Sequence, residues 1–364
     1  MSLLVLSPSA CVRALSVNSL CTHCSDICPV SAISITGRLP SINQAHCVGC
    51  AGCTAVCPTE ALNLDDFSPT DFFFSFASDD ENIISCQKNV PCIAALSSEQ
   101  LISFAQMKRG IILDTGHCAG CDIGESILAS MANTIDNSNY LLEAIESPFR
   151  VECEELAYTD TTVPEEKPDR RDFFKNFHLR SIGKVRNDFE KEIQRTTDEF
   201  VQYSTDSSHT KALRTKKITD RRKLFFTALK RFDVPSEFHV VQSDKIVFTS
   251  QKLLDEELCT ACEMCHRICP TGALTSDMRN SKIDFDPFLC VKCHLCHDVC
   301  EPNAITLSTS YNLKEWYVPN VQNLVTFLVR RCDECDGLFS SVAGEKICRR
   351  CRLEEEEARE LWGL

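Results

Sequence analysis

The chain of 364 residues contains 25 cysteines, and most of them lie in short groups with regular spacing. The motif C-x2-C-x2-C-x3-C begins at Cys47, at Cys259 and at Cys290. A shorter run, C-x2-C-x3-C, begins at Cys21, and Cys11 lies upstream of it. Thiolates are soft ligands for iron and zinc, and short spacings bring several of them to one side of a metal centre. The pattern therefore predicts several metal centres.

The four runs are internal repeats that agree in more than their cysteines. Each has an alanine four positions after its last cysteine, at Ala32, Ala61, Ala273 and Ala304. A proline follows that cysteine directly at Pro58 and Pro270, and one residue later at Pro302. Residues 8–66 and 246–310, which contain these runs, resemble the bacterial-type dicluster ferredoxins. The resemblance implies two ferredoxin-like dicluster modules.

The resemblance also implies four [4Fe–4S] clusters, because the last cysteine of each run in this family ligates the other cluster of its module. In the first module the implied sets are Cys47, Cys50, Cys53 with Cys28, and Cys21, Cys24, Cys57 with Cys11. In the second module they are Cys259, Cys262, Cys265 with Cys300, and Cys290, Cys293, Cys296 with Cys269. The family pattern would place one ligand at Asn18. We expect Cys11 to replace it, with a three-iron cluster on three thiolates as the alternative.

Residues 80–155 show the alternation of strands and helices that is typical of a small α/β domain. Strands are predicted over 81–86, 110–114 and 150–153. A capping-box pattern between Ser97 and Gln100 predicts the start of a helix that continues to residue 107, and a second helix is predicted over 123–132. Strands separated by helices in this way favour a parallel sheet.

Four cysteines lie at or after the carboxyl ends of the first two of these strands: Cys86, Cys92, Cys118 and Cys121. Open α/β sheets bind ligands at the carboxyl ends of their strands, so the four cysteines predict one metal site there. The site is compatible with a fifth iron–sulfur cluster or with zinc. The alternatives are a thiol–disulfide function of the C-x2-C turn and buried structural thiols. We interpret Cys153 as a strand residue rather than a ligand.

The last four cysteines are Cys332, Cys335, Cys348 and Cys351. They form two C-x2-C pairs separated by twelve residues, which is the spacing of zinc ribbons. Residues 313–364 are therefore predicted to form a zinc-ribbon-like segment with a structural zinc ion, followed by a short helix over 353–364. A single rubredoxin-like iron and a cluster are the alternatives.

Residues 156–245 contain no cysteine and include a basic stretch, 165–231, although the chain as a whole has a net charge of −14. Two similar segments, at 169–174 and 220–226, are each predicted to begin a helix. These helices are expected to pack Phe and Leu inward and to leave their charges in solvent. The alternative is a docking element for an acidic partner subunit. The stretch has no recognised nucleic-acid motif, so no nucleic-acid partner is predicted.

These features together predict an α+β multidomain protein. The predicted units are the first dicluster ferredoxin module at 1–68, the small α/β domain at 80–155, the basic helical segment at 156–245, the second dicluster module at 246–312 and the zinc-ribbon-like segment at 313–364. The N-terminal sequence lacks the apolar run of a secretory signal, and no apolar stretch is long enough for a membrane span. So many thiols then indicate a reducing compartment, which we expect to be the cytoplasm.

No nucleotide-binding, flavin-binding or nucleophile motif is present, so no catalytic residue is assigned to the chain. The sequence resembles the polyferredoxin-like iron–sulfur subunits of anaerobic oxidoreductases such as hydrogenases, formate dehydrogenases and heterodisulfide reductases. This resemblance implies a subunit that relays single electrons to other redox subunits, such as a flavin or metal enzyme subunit. Two alternatives stay open: a reductase with an active-site cluster or thiol pair in the central domain, and an iron–sulfur redox sensor.

Overall fold

A computed structural model of the protein describes residues 2–156, 191–192, 195, 216–318, 320–342 and 344–363. The helices of this part are Val12–Leu15, His23–Asp26, Gly52–Val56, Pro69–Ser78, Ser98–Lys108, Gly124–Ala144, Asp220–Lys230, Met264–Ile268, Leu295–Asp298 and Arg349–Trp362. None of them is long and apolar enough to cross a membrane. Short 3-10 turns occur at Ile93–Ala95, Cys118–Gly120 and Leu313–Trp316. The fold mixes helices with small sheets, as the sequence predicts.

The first module (residues 2–68) and the second module (residues 246–312) have the same arrangement of strands. In each, the first strand pairs antiparallel with the last: Leu4–Leu6 with Leu62–Leu64, and Lys252–Leu254 with Ile305–Leu307. In each, a hairpin lies between them: Ile33–Ser34 with Ser41–Ile42, and Leu274–Thr275 with Lys282–Phe285. The repeat that the cysteine spacing predicts is therefore also a repeat of the fold.

The central domain (residues 80–155) contains a three-stranded parallel sheet in the order Ile83–Ile84, Ile111–Asp114 and Val151–Glu154. Helix Ser98–Lys108 begins at the predicted capping box, in which the Gln100 side chain accepts a hydrogen bond from the backbone of Ser97 at 2.9 Å. Helix Gly124–Ala144 extends well beyond its predicted end, because Leu141 and Leu142 continue its buried face.

The C-terminal segment is joined to the second module by backbone pairing. Strand Gln322–Thr326 pairs with Lys282–Phe285 of that module. Strands Leu328–Arg331 and Leu338–Ser341 then form an antiparallel hairpin. The final helix, Arg349–Trp362, begins earlier than the sequence predicts, since it starts at the last pair of cysteines.

The described part of the basic segment contains one long helix, Asp220–Lys230, which we call the linking helix. Its apolar side chains are buried as predicted; the Phe225 ring packs edge-on against Trp316, with ring centroids 5.0 Å apart. The prediction that the charges of this segment lie in solvent is wrong for two of them, because Arg221 is only 7% exposed and Arg222 only 1%. The related segment 169–174 lies outside the described residues.

Arg222 connects the linking helix to the central domain and to the second module. Its guanidinium pairs with the buried carboxylate of Glu99 in helix Ser98–Lys108. The same group donates hydrogen bonds to the backbone carbonyls of Phe288 at 2.7 Å and Cys290 at 2.9 Å, and to that of Phe248. Arginine has five donors in a planar arrangement, so one side chain can hold several backbone segments together.

Arg221 makes the corresponding connection to the first module. Its Nε lies 3.1 Å from the second oxygen of Glu99, and its terminal nitrogens donate to the carbonyls of Ala55, at 2.6 Å, and Cys57. The Glu60 carboxylate accepts the backbone N–H groups of Asp220 and Arg221, at 2.8 and 2.9 Å, and so caps the linking helix. The central domain and both modules thus meet at one helix N-terminus.

We expect Glu99→Gln to lower the free energy of unfolding by about 3–5 kcal/mol, because it leaves two buried guanidinium groups without their counter-charge. Chemical denaturation of the metal-loaded chain measures the effect. The matched control is Glu81→Gln, which removes an exposed carboxylate 3.5 Å from Lys88 and should cost about 0–1 kcal/mol. Equal losses in the two variants would contradict a structural role for the Glu99 pair.

Candidate metal centres

The three complete cysteine runs share an unusual backbone. In each run, the residues immediately before and after the second cysteine have positive φ: Gly49 and Ala51, Ala261 and Glu263, Lys292 and His294. Five of these six residues carry a Cβ, for which this conformation costs about 1–3 kcal/mol each. Alternating backbone conformations of this kind point several N–H groups into one concavity that favours an anion. The strain is therefore consistent with a cradle for a negatively charged group.

The residues after the last cysteine of each run are also equivalent. The third residue beyond it has positive φ in all four runs, at Ser31, Glu60, Gly272 and Asn303. The alanine that follows is at most 2% exposed in every case. The backbone N–H groups of Ala32 and Ala61 each donate to the preceding cysteine sulfur at 3.2 Å. A small residue recurs here because it is buried against the cysteine and its N–H faces the sulfur.

The structure brings Cys11 together with Cys21, Cys24 and Cys57. All four line one small cavity, whose other walls include Leu6, Val12 and Leu62. Burial, together with the proximity of Cys21, Cys57 and Cys11, raises the pKa of the Cys24 thiol to about 11. Asn18, where the family pattern would place the ligand, is exposed, and its backbone N–H bonds the Ser16 hydroxyl. The structure therefore brings Cys11, and not Asn18, to the other three cysteines.

The second set of the first module consists of Cys28, Cys47, Cys50 and Cys53. Burial raises the pKa of Cys53 most, and the neighbouring thiols of Cys50, Cys24, Cys47 and Cys28 raise it further. The backbone N–H of Gly52 hydrogen-bonds the Cys50 sulfur. Because Cys53 also lies near Cys24, the two sets of the first module are neighbours.

The two sets of the second module are formed in the same way. Cys259, Cys262, Cys265 and Cys300 line a small cavity together with Leu254, Val299 and Ile305. Burial raises the pKa of Cys293, followed in effect by the proximity of Cys269, Cys290 and Cys296. Burial likewise raises the pKa of Cys265, and the neighbouring Cys296 raises it further. The two sets are therefore neighbours here as well.

The four cysteines of the central domain also lie near one another. Burial raises the pKa of Cys92 to about 12, and Cys50, Cys86 and Cys118 contribute. Burial raises the pKa of Cys118, with further effects of Cys86 and Cys121. Burial also raises the pKa of Cys86, with Asp114 and Cys121 as further causes.

The C-terminal cysteines form a tighter group, which we call the knuckle: Cys332, Cys335, Cys348 and Cys351. Their sulfur atoms all lie within 4.8 Å of one another, and those of Cys335 and Cys348 are 3.8 Å apart. Tetrahedral zinc with bonds of about 2.3 Å separates its sulfur ligands by about 3.8 Å. The donor set and its spacing fit one mononuclear zinc ion.

Three buried cations that lie next to the cysteines were not identified from the sequence: Arg221, Arg222 and Lys252. The Arg221 and Arg222 side chains hold the carbonyls of Cys57 and Cys290, and the only signal for them is the repeated Asp-Arg-Arg pattern. Lys252 is 2% exposed and donates to the His297 ring at 2.7 Å. Burial and the nearby Lys252 lower the pKa of His297 to about 4, so the ring is neutral at pH 7. No local pattern distinguishes Lys252 from an exposed strand lysine.

Comparison with known proteins agrees with this geometry. Residues 251–301 match the family of 4Fe-4S dicluster domains. A stretch of 44 residues is 41% identical to a subunit of an ion-translocating oxidoreductase complex from Methanosarcina acetivorans, and covers 12% of this chain and 17% of that protein. A stretch of 56 residues is 38% identical to a ferredoxin of Saccharopolyspora erythraea, and covers 15% of this chain and 53% of that protein.

These matches span about a sixth and about half of the two relatives' own lengths. They show a 4Fe-4S dicluster domain in the second module, and over the matched stretches the chain is similar to ferredoxin-like iron–sulfur proteins.

We expect Cys335→Ser to remove about one zinc ion per chain and to leave the iron content unchanged, because four thiolates make one closed zinc site. Metal analysis of the purified variant measures both. The control is Cys153→Ser, which changes an exposed cysteine in the central domain. Loss of iron from the Cys335 variant would contradict the assignment of zinc to the knuckle.

Proposed function

We propose that the protein is an electron-transfer subunit that binds four [4Fe–4S] clusters, two in each module, as one continuous relay. A bound [4Fe–4S] cluster accepts and donates one electron at a time. The ligands would be the four sets of cysteines that the sequence pattern implies. The observation that supports the proposal most strongly is the contact between the modules, because it places a cysteine set of one beside a cysteine set of the other.

Several contacts form this junction. The backbone N–H of Leu20, next to Cys21, donates to the Asp298 carboxylate at 3.1 Å. His23, next to Cys24, is a neighbour of His294, next to Cys293. The Cys11/Cys21/Cys24/Cys57 set of the first module therefore lies close to the Cys269/Cys290/Cys293/Cys296 set of the second.

The linking helix supplies a second connection across the same junction. Arg221 donates to the carbonyl of Cys57, and Arg222 donates to the carbonyl of Cys290. Both guanidinium groups are held by the single carboxylate of Glu99. A buried, hydrogen-bonded connection of this kind fixes the separation of the two sets.

The charges around the second module favour a higher reduction potential there. Burial raises the pKa of Cys296, and the neighbouring Lys252 opposes this rise. The Lys292 ammonium, beside Cys290, donates to the carbonyls of Ser243 and Ile246 at 2.8 and 2.6 Å. A nearby cation stabilises the reduced cluster, which carries more negative charge. We infer that the second module is the higher-potential end of the relay.

We also infer that the chain works inside a larger cytoplasmic redox complex. One relative is named as a subunit of an ion-translocating oxidoreductase complex. The chain itself offers metal ligands and buried connections between them rather than an assigned catalytic group. Its partners would then be redox subunits with a flavin or a metal active site, which supply or consume the electrons.

Iron and acid-labile sulfide per chain test the number of clusters. We expect Cys47→Ser and Cys259→Ser each to lose about 4 iron, since each removes a ligand of one [4Fe–4S] cluster. Cys153→Ser should retain the wild-type value. Unchanged iron in Cys47→Ser would show that the first module holds no such cluster and would overturn the continuous relay.

Replacement of the buried cation tests the direction of the potential. We expect Lys252→Met to make one cluster potential more negative by about 60 mV, which corresponds to about 1.4 kcal/mol for one electron. A redox titration followed by EPR measures the shift. Lys245→Met removes an exposed lysine of the same region and should leave all potentials in place. A positive shift, or equal shifts in both variants, would contradict the role of Lys252.

A further inference from the structure

We propose that Cys86, Cys92, Cys118 and Cys121 bind a fifth iron–sulfur cluster, a [4Fe–4S] cluster, directly beside the Cys28/Cys47/Cys50/Cys53 set. The inference rests on the proposed function and extends it: the row of clusters would begin in the central domain and pass through the first module to the second. The central domain would then be the outermost point at which an electron enters or leaves the chain.

The fold brings these cysteines to one edge of the parallel sheet. Cys86 follows strand Ile83–Ile84, and the turn Cys118–Gly120 follows strand Ile111–Asp114. The two strands are adjacent and parallel, so both segments lie at the same end of the sheet. Cys92 immediately precedes the turn Ile93–Ala95, whose residues are all buried.

The surrounding loops are held rigidly. The Asp114 carboxylate is 1% exposed and accepts hydrogen bonds from the Ser85 hydroxyl at 2.6 Å and the Gly116 N–H at 2.9 Å. At Gly124 an added Cβ would lie 1.9 Å from the Cys118 carbonyl oxygen, so only glycine lets helix Gly124–Ala144 begin so close to the turn. Contacts within the domain thus hold the loops that carry Cys86, Cys118 and Cys121.

The spacing of the sulfur atoms favours a cluster over zinc. Among the described residues, only the knuckle has three or more Cys, His, Asp or Glu donor atoms within 4.8 Å of one another. The central cysteines are therefore more widely spaced than the knuckle, and the four ferredoxin-type sets share this wider spacing. A cluster of four iron ions holds its thiolates farther apart than a single tetrahedral zinc ion.

The site is in direct contact with the first module. An added Cβ at Gly52 would lie 3.6 Å from the Ala94 Cβ and 3.9 Å from the Cys50 sulfur. Ala95, which is fully buried, belongs to the apolar core of the first module. Cys50 also lies close enough to Cys92 to raise its pKa, after the larger effect of burial. The segment that carries Cys92 is therefore shared between the central site and the Cys28/Cys47/Cys50/Cys53 set.

Metal analysis of the full chain, purified without oxygen, tests the proposal. We expect about 20 iron and one zinc per chain in the wild type, and about 16 iron with unchanged zinc in Cys121→Ser, because one [4Fe–4S] cluster is lost. Cys153→Ser, which replaces an exposed cysteine of the same domain, should match the wild type. In the reduced protein, the Cys121 variant should also lose magnetic broadening of the first-module EPR signal.

Three results would overturn the proposal. If Cys121→Ser keeps all its iron but loses one zinc ion, the central site binds zinc. If its metal content is unchanged, the central site is a group of thiols. If the variant does not fold, the metal content of the wild-type chain gives the answer. About 16 iron with two zinc ions per chain would reject a fifth cluster. Failure of the proposed function is separate, since it appears as unchanged iron in Cys47→Ser.

Discussion

The arrangement of the central domain and the two modules depends on one buried carboxylate, Glu99, and the two guanidinium groups that it holds. Burying three charges is unfavourable unless each is paired and its remaining hydrogen-bond groups are satisfied. Here the remaining donors bind main-chain carbonyls, two of which belong to Cys57 and Cys290. The interaction that neutralises the charges is therefore the same interaction that aligns the two modules. A change in Glu99 would alter the distance between metal centres as well as the stability of the fold.

In the two modules, bound metal would fill the part of the interior that side chains do not fill. Their strands are only two to four residues long, and two of the cysteine sets surround small cavities. Several residues with a Cβ adopt left-handed conformations around the cysteines, and that strain has to be offset by what the loops enclose. Folding and metal binding are consequently coupled in this class of site. Folding and metal binding are coupled in the knuckle as well, where the sulfur atoms are spaced for a single metal ion.

Sequence patterns predicted the features that are local. The resemblance to dicluster ferredoxins implied the grouping of Cys21, Cys24 and Cys57 with the distant Cys11, and a capping box predicted the start of helix Ser98–Lys108. The burial of Arg222 and Lys252 could not be predicted, because it depends on contacts between segments far apart in the chain. An Asp-Arg-Arg pattern looks the same in an exposed helix and in one whose N-terminus lies between three domains. The contact between the two modules could not be predicted from the sequence for the same reason.

Anomalous diffraction at the iron and zinc edges, from crystals of the full chain grown without oxygen, tests the central claim most directly. The account predicts iron in both cysteine sets of both modules, with the Cys11/Cys21/Cys24/Cys57 and Cys269/Cys290/Cys293/Cys296 positions adjacent across the junction, and zinc only at the knuckle. Iron confined to the second module, or a gap at the Cys11 set, would contradict it, because electrons could then not pass from one module to the other.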